Sequence, residues 1–463
     1  MTANRRAAAA LLLLVGCSGH PTAPVSGSGP VASVIVAPAV ATVVVGDSVQ
    51  FTATPKDAAG NPLLGRVVSW ATGAPAVASV SGTGLVTGRA TGTATVTATS
   101  EGQTGSATIN VGLLFAAMSA AREFTCGRTT GGAAYCWGLN ASGQLGNGST
   151  TSSTTPVAVG GGLVFAGISA HGDHACGRTA AGAVYCWGDN SFGQLGDGTT
   201  TNRSTPVPVS GGLAFMAISV NGTHTCGRVA SGAAYCWGDN VFGQLGDGTT
   251  IDRSAPVLVA GGLSFAGVSA GGNHTCGHTA AGAAFCWGDN AFGQLGDGST
   301  TSSAVPVAVT GGIAFAGISP GGSHTCGRTM GGTAYCWGLN ASGQLGNSTT
   351  TSSSTPLAVT GGLTFAAVGA GGTHTCGRTT SGITYCWGDN AFGQLGNGSM
   401  TNSPAPVAVS GGLSLTGGSE GVNHTCAHVI SGAAYCWGGN TSGQLGNGST
   451  TASAVPVKVA GQP

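Results

Sequence analysis

The stretch GTHTCGRVASGAAYCWGDNVFGQLGDG, residues 222–248, decides the fold because it recurs in closely similar form every 50 residues. Seven copies of this unit fill the chain from about Gly112 to Gln462, with no residue inserted or lost between copies. An internal period of this length indicates a repeat architecture, in which each unit buries its apolar face against its neighbours. The period therefore predicts the fold class before any single strand is assigned.

Each unit carries four short strand patterns. In the second copy they are Val164–Ser169, His174–Thr179, Ala183–Gly188 and Thr205–Val209. The last pattern contains proline, which suits an edge strand because proline cannot donate to a sheet ladder. Four strands in each of seven units predict an all-β, seven-bladed β-propeller with four-stranded blades over residues 112–463.

The motif W-G-x-N-x-x-G-Q-L-G, present in all seven copies, resembles the regulator of chromosome condensation repeat. The resemblance covers the whole repeat region and implies a seven-bladed β-propeller. It also implies, for the founding member of that family, nucleotide exchange on a small GTPase and binding to chromatin. We do not expect that activity here, because the unbroken period leaves no room for an inserted functional element.

Two cysteines ten residues apart occur in every copy. In the second copy a three-residue hairpin loop with Gly182 in its left-handed position would place Cys176 directly opposite Cys186. Directly opposed side chains lie close enough for a cross-strand disulfide. Metal ligation and free thiols are the alternatives. The predicted pairs are Cys126–Cys136, Cys176–Cys186, Cys226–Cys236, Cys276–Cys286, Cys326–Cys336, Cys376–Cys386 and Cys426–Cys436.

The first 17 residues have the pattern of an export signal. Arg5 and Arg6 precede a short apolar run that ends in Leu-Val-Gly-Cys, which resembles a bacterial lipobox. The resemblance implies cleavage before Cys17 and its lipidation, followed by anchoring at an outer membrane or cell surface. An ordinary secretory signal is the alternative. Residues 18–30 are predicted to be a flexible tether.

The segment 31–111 lacks cysteine and shows alternating strand patterns between turns. About seven short strands in this segment predict a small β-sandwich. The run at residues 68–100, VSWATGAPAVASVSGTGLVTGRATGTATVTATS, resembles a group 2 bacterial immunoglobulin-like domain. In that family the domain is usually a spacer or adhesion module on exported proteins.

Composition and motifs limit the classes of function. Only 6% of the residues are charged, and 14 basic residues balance 14 acidic ones, which argues against nucleic acid as a partner. We find no nucleophile elbow, zinc-protease motif or phosphate-binding glycine loop. We therefore predict a monomeric binding protein that is not an enzyme and has no cofactor or metal. The alternatives are a glycan-active or accessory protein of the envelope, a structural envelope role and, by analogy with the resembled family alone, guanine-nucleotide exchange.

Differences between copies suggest where a protein or glycan partner would bind. The second, third, fourth and sixth copies read W-G-D-N-x-F-G-Q-L-G, and the second to fourth carry a further aspartate. Aromatic side chains are typical anchors of binding surfaces. The alternatives are phenylalanine packing between blades, aspartate capping of turns, and calcium binding. The candidate residues are Asp189, Phe192, Asp197, Asp239, Phe242, Asp247, Asp289, Phe292 and Asp297.

Two further expectations concern the frame of the ring. Histidine precedes the first cysteine by two residues in six copies, whereas the first copy has Phe124. This pattern favours hydrogen bonding within or between blades over a metal or proton site. The repeated asparagine of the W-G-x-N motif is expected to bond to backbone groups of its own loop. The final strand, near Val455–Val459, is expected to complete a blade with residues near 112–118.

Overall fold

The computed structural model describes residues 29–463, and within these residues it consists of strands, turns and loops. Cys17, the predicted signal and most of the predicted tether lie outside the described residues. In the described part of the chain no helix is long and apolar enough to cross a membrane.

The chain forms two compact units. The first comprises the described residues up to Val43 together with Asp47–Asn110, and the second comprises Val44–Gly46 and Val111–Pro463. The strands of the N-terminal region are β1 (Ser33–Ala37), β2 (Val40–Val44), β3 (Ser48–Gln50), β4 (Thr52–Lys56), β5 (Ser69–Thr72), β6 (Ala78–Val80), β7 (Leu85–Gly88), β8 (Gly92–Ser100) and β9 (Gln103–Gly112).

These nine strands form three small sheets in the orders β1-β4, β2-β9-β8-β5 and β3-β7-β6. Alternate residues of β8 point inward, and Val96 and Ala98 are fully buried with Phe51 and Ile109. The alternation agrees with the pattern seen in the sequence, so the all-β character of this region is confirmed. Its assignment to the group 2 immunoglobulin-like family stays a prediction.

The repeat region contains seven four-stranded antiparallel sheets, one for each copy, which we number as blades 1–7. The strands are β10 (Phe115–Ala120), β11 (Phe124–Thr129), β12 (Ala134–Gly138) and β13 (Ser153–Ala158) in blade 1; β14 (Gly167–His171), β15 (His174–Arg178), β16 (Val184–Gly188) and β17 (Arg203–Pro208) in blade 2; β18 (Phe215–Asn221), β19 (His224–Val229), β20 (Ala234–Gly238) and β21 (Arg253–Leu258) in blade 3; β22 (Phe265–Ala270), β23 (His274–Thr279), β24 (Ala284–Gly288) and β25 (Ser303–Ala308) in blade 4; β26 (Phe315–Pro320), β27 (His324–Thr329), β28 (Ala334–Gly338) and β29 (Ser353–Ala358) in blade 5; β30 (Phe365–Ala370), β31 (His374–Thr379), β32 (Thr384–Gly388) and β33 (Ser403–Ala408) in blade 6; and β34 (Leu415–Glu420), β35 (His424–Val429), β36 (Ala434–Gly438) and β37 (Ser453–Lys458) in blade 7.

The second and third strands of each blade form the hairpin that carries the cysteines. In blade 2, Gly182 has a φ of 87°, and Cys176 is the register partner of Cys186. A disulfide joins the two cysteines in this blade and in each of the others. The predicted disulfides are therefore confirmed, and they indicate an oxidising, extracytoplasmic environment.

The apolar core lies between consecutive blades. Between blades 1 and 2, Leu145 of the first blade meets Phe165 and Trp187 of the second. The two rings lie 5.9 Å apart at a tilt, and Gly177 leaves room for Phe165, since a Cβ at that position would approach the ring to 2.5 Å. Similar clusters recur around the ring, so each blade is stabilised mainly by its two neighbours.

The ring closes without exchange of a strand between the first and last blades. The final strand β37 pairs with β36 inside blade 7, so the expected pairing with residues near 112–118 is wrong. The repeat begins and ends between blades, and its fourth strand therefore remains with its own copy. The seam between blades 7 and 1 is closed by the backbone bond from Leu113 N–H to the carbonyl of Gly461, at 2.8 Å, and by packing of Phe115 and Trp137 near Val459.

Candidate binding surface

The loop that follows the third strand of each blade is organised around its asparagine. Asn190 is fully buried, and its side-chain amide donates to the carbonyls of Thr199 and Thr201. Its Oδ1 accepts from the amide of Leu195 at 2.9 Å. The expectation that this asparagine bonds to backbone groups of its own loop is confirmed, and the loop conformation is fixed from inside.

The same loop fastens one blade to the next. The indole nitrogen of Trp187 in blade 2 donates to the carbonyl of Gln144 in blade 1 at 3.0 Å. The amide of Gly148 donates to the carbonyl of Ser204 on the outer strand of blade 2. Gly146 has a φ of 66°, and a Cβ there would lie 2.7 Å from the Trp187 indole. A substitution at this glycine would therefore strain the backbone and separate the blades.

The aspartates at the end of these loops accept hydrogen bonds from residues of their own blade. Asp197 accepts from Nε and Nη2 of Arg203, at 3.0 and 2.8 Å, and from the amide of Thr199. Burial acts to raise the pKa of Asp197, but the hydrogen bonds from Thr199 and Arg203 outweigh it and hold the pKa below its ordinary value. Asp247 has the same arrangement with Arg253. Asp297 lacks an arginine partner and accepts from Ser299 and Asn290.

The aspartates next to the tryptophans also bond locally. Asp239 accepts from the hydroxyl of Thr223 and from the amide of Val241. Asp189 accepts from Ser191 and Gln194, and Asp289 accepts from Ala291 and Gln294. These contacts match the interpretation of the aspartates as turn caps.

The phenylalanines of the loops differ from the aspartates because their rings reach solvent. Phe192 and Phe242 are each 39% exposed, and Phe292 is 43% exposed. The phenylalanines at the start of the blades, such as Phe165 and Phe215, are instead at most 3% exposed. The predicted set thus divides into aspartates bonded within their loops and aromatic rings open to a partner.

The exposed rings continue into an apolar surface that the sequence analysis did not include. Phe192 of blade 2 lines a shallow depression of about 690 Å³ together with Val241 and Ile251 of blade 3. These two aliphatic side chains are 60% and 61% exposed, and Asp239 and Asp252 lie at the same depression. We call this set the blade 2–3 patch. Val241 and Ile251 were detectable in the sequence, because the other copies have small or polar residues at these positions.

The repeated histidines join neighbouring blades. In each case the Nε2 atom lies 2.7–2.9 Å from a threonine hydroxyl of the next blade, as in His174–Thr225. The Thr225 hydroxyl donates its proton to the carbonyl of Gln194, so it must accept from the histidine. The histidines therefore carry a proton on Nε2. Burial lowers their pKa values to about 3 or 4, so the rings are neutral near pH 7.

The interface between blades 1 and 2 replaces this polar pair by an apolar one. Phe124 occupies the histidine position of blade 1, and Ala175 occupies the threonine position of blade 2. Both side chains are fully buried in the same apolar cluster. The expectation of hydrogen bonds between blades is confirmed at the six other interfaces, and the exception at Phe124 is matched by its partner.

Comparison with known proteins supports the architecture. The family model described as RCC1-like domain matches residues 65–376, and the model described as regulator of chromosome condensation (RCC1) repeat matches residues 381–428 and 431–463. A second model of the RCC1 repeat matches residues 365–394. The comparison with curated proteins gave no match.

Three solved structures have a similar fold. Human WBSCR16 is 20% identical and superposes with a TM-score of 0.64 over 70% of this chain and 90% of its own. Yeast RCC1 (Prp20) bound to Kap60 is 18% identical, with a TM-score of 0.64 over 75% of this chain and 85% of its own. Prp20p from Saccharomyces cerevisiae, described with its binding to Gsp1p and histones, is 19% identical, with a TM-score of 0.63 over 75% of this chain and 87% of its own.

At this level of identity the likeness establishes the fold alone, and it agrees with the seven four-stranded blades. The RCC1-like domain model covers well over half of the sequence, from Gly65 in the N-terminal region to Cys376 in blade 6, and the repeat models cover the remaining residues of blades 6 and 7. The chain therefore belongs to the RCC1-like domain family.

Proposed function

We propose that this protein is an exported, lipid-anchored binding protein that holds a protein partner on the loops of blades 2–4. The observation that carries the proposal is the exposure of Phe192, Phe242 and Phe292 on three consecutive blades. Aromatic side chains supply large contact areas and dominate the free energy of binding in many interfaces. A glycan ligand is the alternative, because aromatic rings also suit sugar faces.

The base of each exposed ring is held in place before binding. The amide of Phe192 donates to Oε1 of Gln194 at 2.9 Å, and Gly193 packs so closely on Ser254 that a Cβ would lie 2.5 Å from its Cα. A preorganised surface loses little conformational entropy on binding. The loops of blades 2–4 therefore suit a stable interface better than mobile loops would.

The blade 2–3 patch supports an apolar anchor on the partner. Phe192, Val241 and Ile251 surround the depression, and the carboxylates of Asp239 and Asp252 lie beside it. Both carboxylates already accept hydrogen bonds within their own blade, so they contribute negative potential more than free acceptor atoms. A partner segment with an apolar side chain next to a basic residue would be complementary to this patch.

The location is part of the proposal. The lipobox-like sequence ending at Cys17 supports lipid anchoring, and the seven disulfides agree with export. The partners Gsp1p and histones belong to Prp20p, and we do not transfer them. We propose a binding role without catalysis, because the repeated polar groups described above are bonded within the scaffold.

The repeats offer a substitution that the fold already tolerates. Serine occupies the phenylalanine position in blades 1, 5 and 7, as Ser142, Ser342 and Ser442. The triple variant Phe192→Ser, Phe242→Ser and Phe292→Ser should therefore fold. We expect the full-length protein to capture a stoichiometric partner from envelope extracts, and the triple variant to lose it.

The matched control is Phe392→Ser in blade 6, because Phe392 has the same motif and is 41% exposed outside the proposed sector. Capture should survive this change. Retention of the partner by the triple variant would place the site elsewhere, and capture of glycan but of no protein would favour the alternative. Replacement of Cys17 by serine should separately release the protein from the membrane fraction, and an unchanged distribution would contradict lipid anchoring.

A further inference from the structure

The interface between blades 6 and 7 has smaller residues at two positions that large apolar side chains fill in the other interfaces. Leu415 begins the first strand of blade 7 where the other six blades have phenylalanine. Three residues later, Gly418 replaces a large aliphatic residue. The equivalents of Gly418 in blades 1–6 are Met118, Ile168, Ile218, Val268, Ile318 and Val368.

These truncations leave a cavity of about 110 Å³ between the two blades. Leu415, Gly418 and Ala427 of blade 7 line it, with Val368 and the disulfide-bonded Cys376 of blade 6 on the opposite side. The apolar core is divided at this point, with Cys376 and Leu395 in one cluster and Leu415 and Trp437 in another. Core cavities are costly, and one of this size has room for a small ligand.

A second departure places a carboxylate in this cavity. Most other interfaces contain a hydrogen bond between a serine and a backbone amide of the following blade. In blade 2, for example, the hydroxyl oxygen of Ser169 accepts a hydrogen bond from the amide of Val220 in blade 3 at 3.0 Å. Blade 6 has Gly369 at the serine position, and blade 7 has Glu420 at the amide position. The Glu420 carboxylate lies in the space beside Gly369 and accepts a hydrogen bond from its own backbone amide.

The loss of the serine at Gly369 and the gain of Glu420 introduce a charge at a position where the other blades have only a hydrogen bond. A carboxylate has acceptor sites for several donors, and the backbone amide fills one of them. Burial raises the pKa of Glu420 to about 7, because the apolar walls disfavour its charged form. A cation in the cavity would relieve this cost.

The other polar groups that line the cavity mostly have partners. The Thr425 hydroxyl donates to the carbonyl of Gln394 and accepts from His374, and the indole of Trp437 donates to the same carbonyl. Arg378 also lines the cavity. It is the register partner of Ala367, which lies two positions along the strand from Gly369. Its positive charge directs a second cation away from that end and toward Glu420.

We propose that the cavity between blades 6 and 7 binds a small primary ammonium ion, with its charge on Glu420 and its short apolar chain against Leu415 and Ala427. A cavity slightly larger than this one, about 150 Å³, holds a benzene molecule in another protein. The ligand should therefore have roughly four to six non-hydrogen atoms. The proposal is independent of the binding surface on blades 2–4.

The pH dependence of binding should report on Glu420. The ionisable groups around the cavity are Arg378, which lines it, and three histidines behind its walls: His374 bonds to Thr425, His428 lies against Gly417, and His424 lies against Gly421, next to Glu420. Burial lowers the pKa values of His374 and His424 to about 4 and about 3, and it also lowers the pKa of His428. These histidines therefore stay neutral above pH 7. We expect affinity for the ammonium ion to increase about tenfold from pH 6 to pH 8.5 as Glu420 ionises.

The test compares n-butylammonium with n-butanol, which has nearly the same shape without the charge. Calorimetric titration of the full-length, oxidised protein at pH 8.5 should show n-butylammonium binding at least about tenfold more tightly. Glu420→Gln retains an acceptor for the backbone amide and should remove this preference. Gly418→Ile restores the residue of blades 2, 3 and 5 and should abolish binding of both probes.

Two results would overturn the proposal. The first is equal affinity for the two probes in the unchanged protein, which would describe an apolar cavity without cation recognition. The second is undiminished n-butylammonium binding in Glu420→Gln or Gly418→Ile, which would place the ammonium site elsewhere. Thermal unfolding of each variant establishes that it is folded before titration.

Discussion

Two interfaces of the ring depart from the repeat in opposite directions. Between blades 1 and 2, Phe124 and Ala175 replace a histidine–threonine pair and make the contact wholly apolar. Between blades 6 and 7, Gly369 and Glu420 replace a serine and a small residue and bring a carboxylate into a cavity. In both cases the two altered residues are 51 positions apart and touch across the interface. The comparison teaches that residues of adjacent blades change as pairs.

Lowering the pH should have the largest effect on stability, and it should act on the six interfaces that contain a histidine–threonine pair. Histidine in the unfolded chain titrates near pH 6.5, whereas the six interface histidines have pKa values of about 3 or 4 in the fold. Below pH 6.5 the unfolded chain binds protons that the folded chain does not. The folded state therefore has its full stability above pH 6.5, and the buried histidines reduce this stability as the pH falls toward 4. We expect the free energy of unfolding to fall by at least several kcal/mol between pH 6.5 and 4.5.

Urea unfolding at a series of pH values measures this loss, with buffers matched in ionic strength. Hydrogen exchange should show that amides beside Phe124 and Ala175 open last, because these two residues replace the histidine–threonine pair of the other interfaces. A free energy of unfolding that is constant across this window would contradict the assignment of neutral, buried histidines.

Changing one member of the apolar pair should have the next largest effect. Phe124→His places a buried imidazole opposite Ala175, where no hydroxyl accepts its proton. We expect this variant to lose about 3 kcal/mol of stability from lost packing and an unpaired donor. Phe124→His combined with Ala175→Thr recreates the pair of the other interfaces and should recover most of the loss.

Denaturant unfolding of the two single variants and the double variant gives the coupling energy between the positions. We expect at least about 1 kcal/mol of favourable coupling. Simple additivity of the two changes would refute the idea that they act as a pair.

Refilling the other interface should have the smallest effect, and in the stabilising direction. Gly369→Ser with Glu420→Ala restores the serine–amide bond, and Gly418→Ile fills the cavity. Together these changes should raise the free energy of unfolding by about 1–2 kcal/mol at pH 8, where Glu420 would otherwise be ionised. Thermal unfolding at pH 8 and pH 5.5 measures this gain, which should be larger at pH 8. A destabilised variant would show that the cavity is required for the packing of blade 7.

The sequence predicted the features that depend on spacing within one copy. Cys176 and Cys186 face each other because a hairpin centred near Gly182 fixes their register. The buried Asn190 was likewise assigned correctly, since its partners lie within its own loop.

Contacts between copies were harder to predict. The exception at Phe124 is visible in the sequence, but its compensation by Ala175 depends on a contact between strands of different blades. The same holds for Gly369 and Glu420, which are visible as departures from the repeat only when residues 51 positions apart are aligned. The closure of the ring was assigned wrongly, because the repeat pattern does not show whether the last strand stays in its own copy.

The hydrogen bond between Leu113 and Gly461 shows that the two ends of the repeat block are close enough to be joined in a circular permutant. All four strands of every blade are contiguous in sequence, and the two ends of the repeat block meet at the seam between blades 7 and 1. A circular permutant that joins these ends and opens the chain between Gly161 and Gly162 would cut no blade. The order in which the blades are synthesised is thus separable from the order in which they stand around the ring.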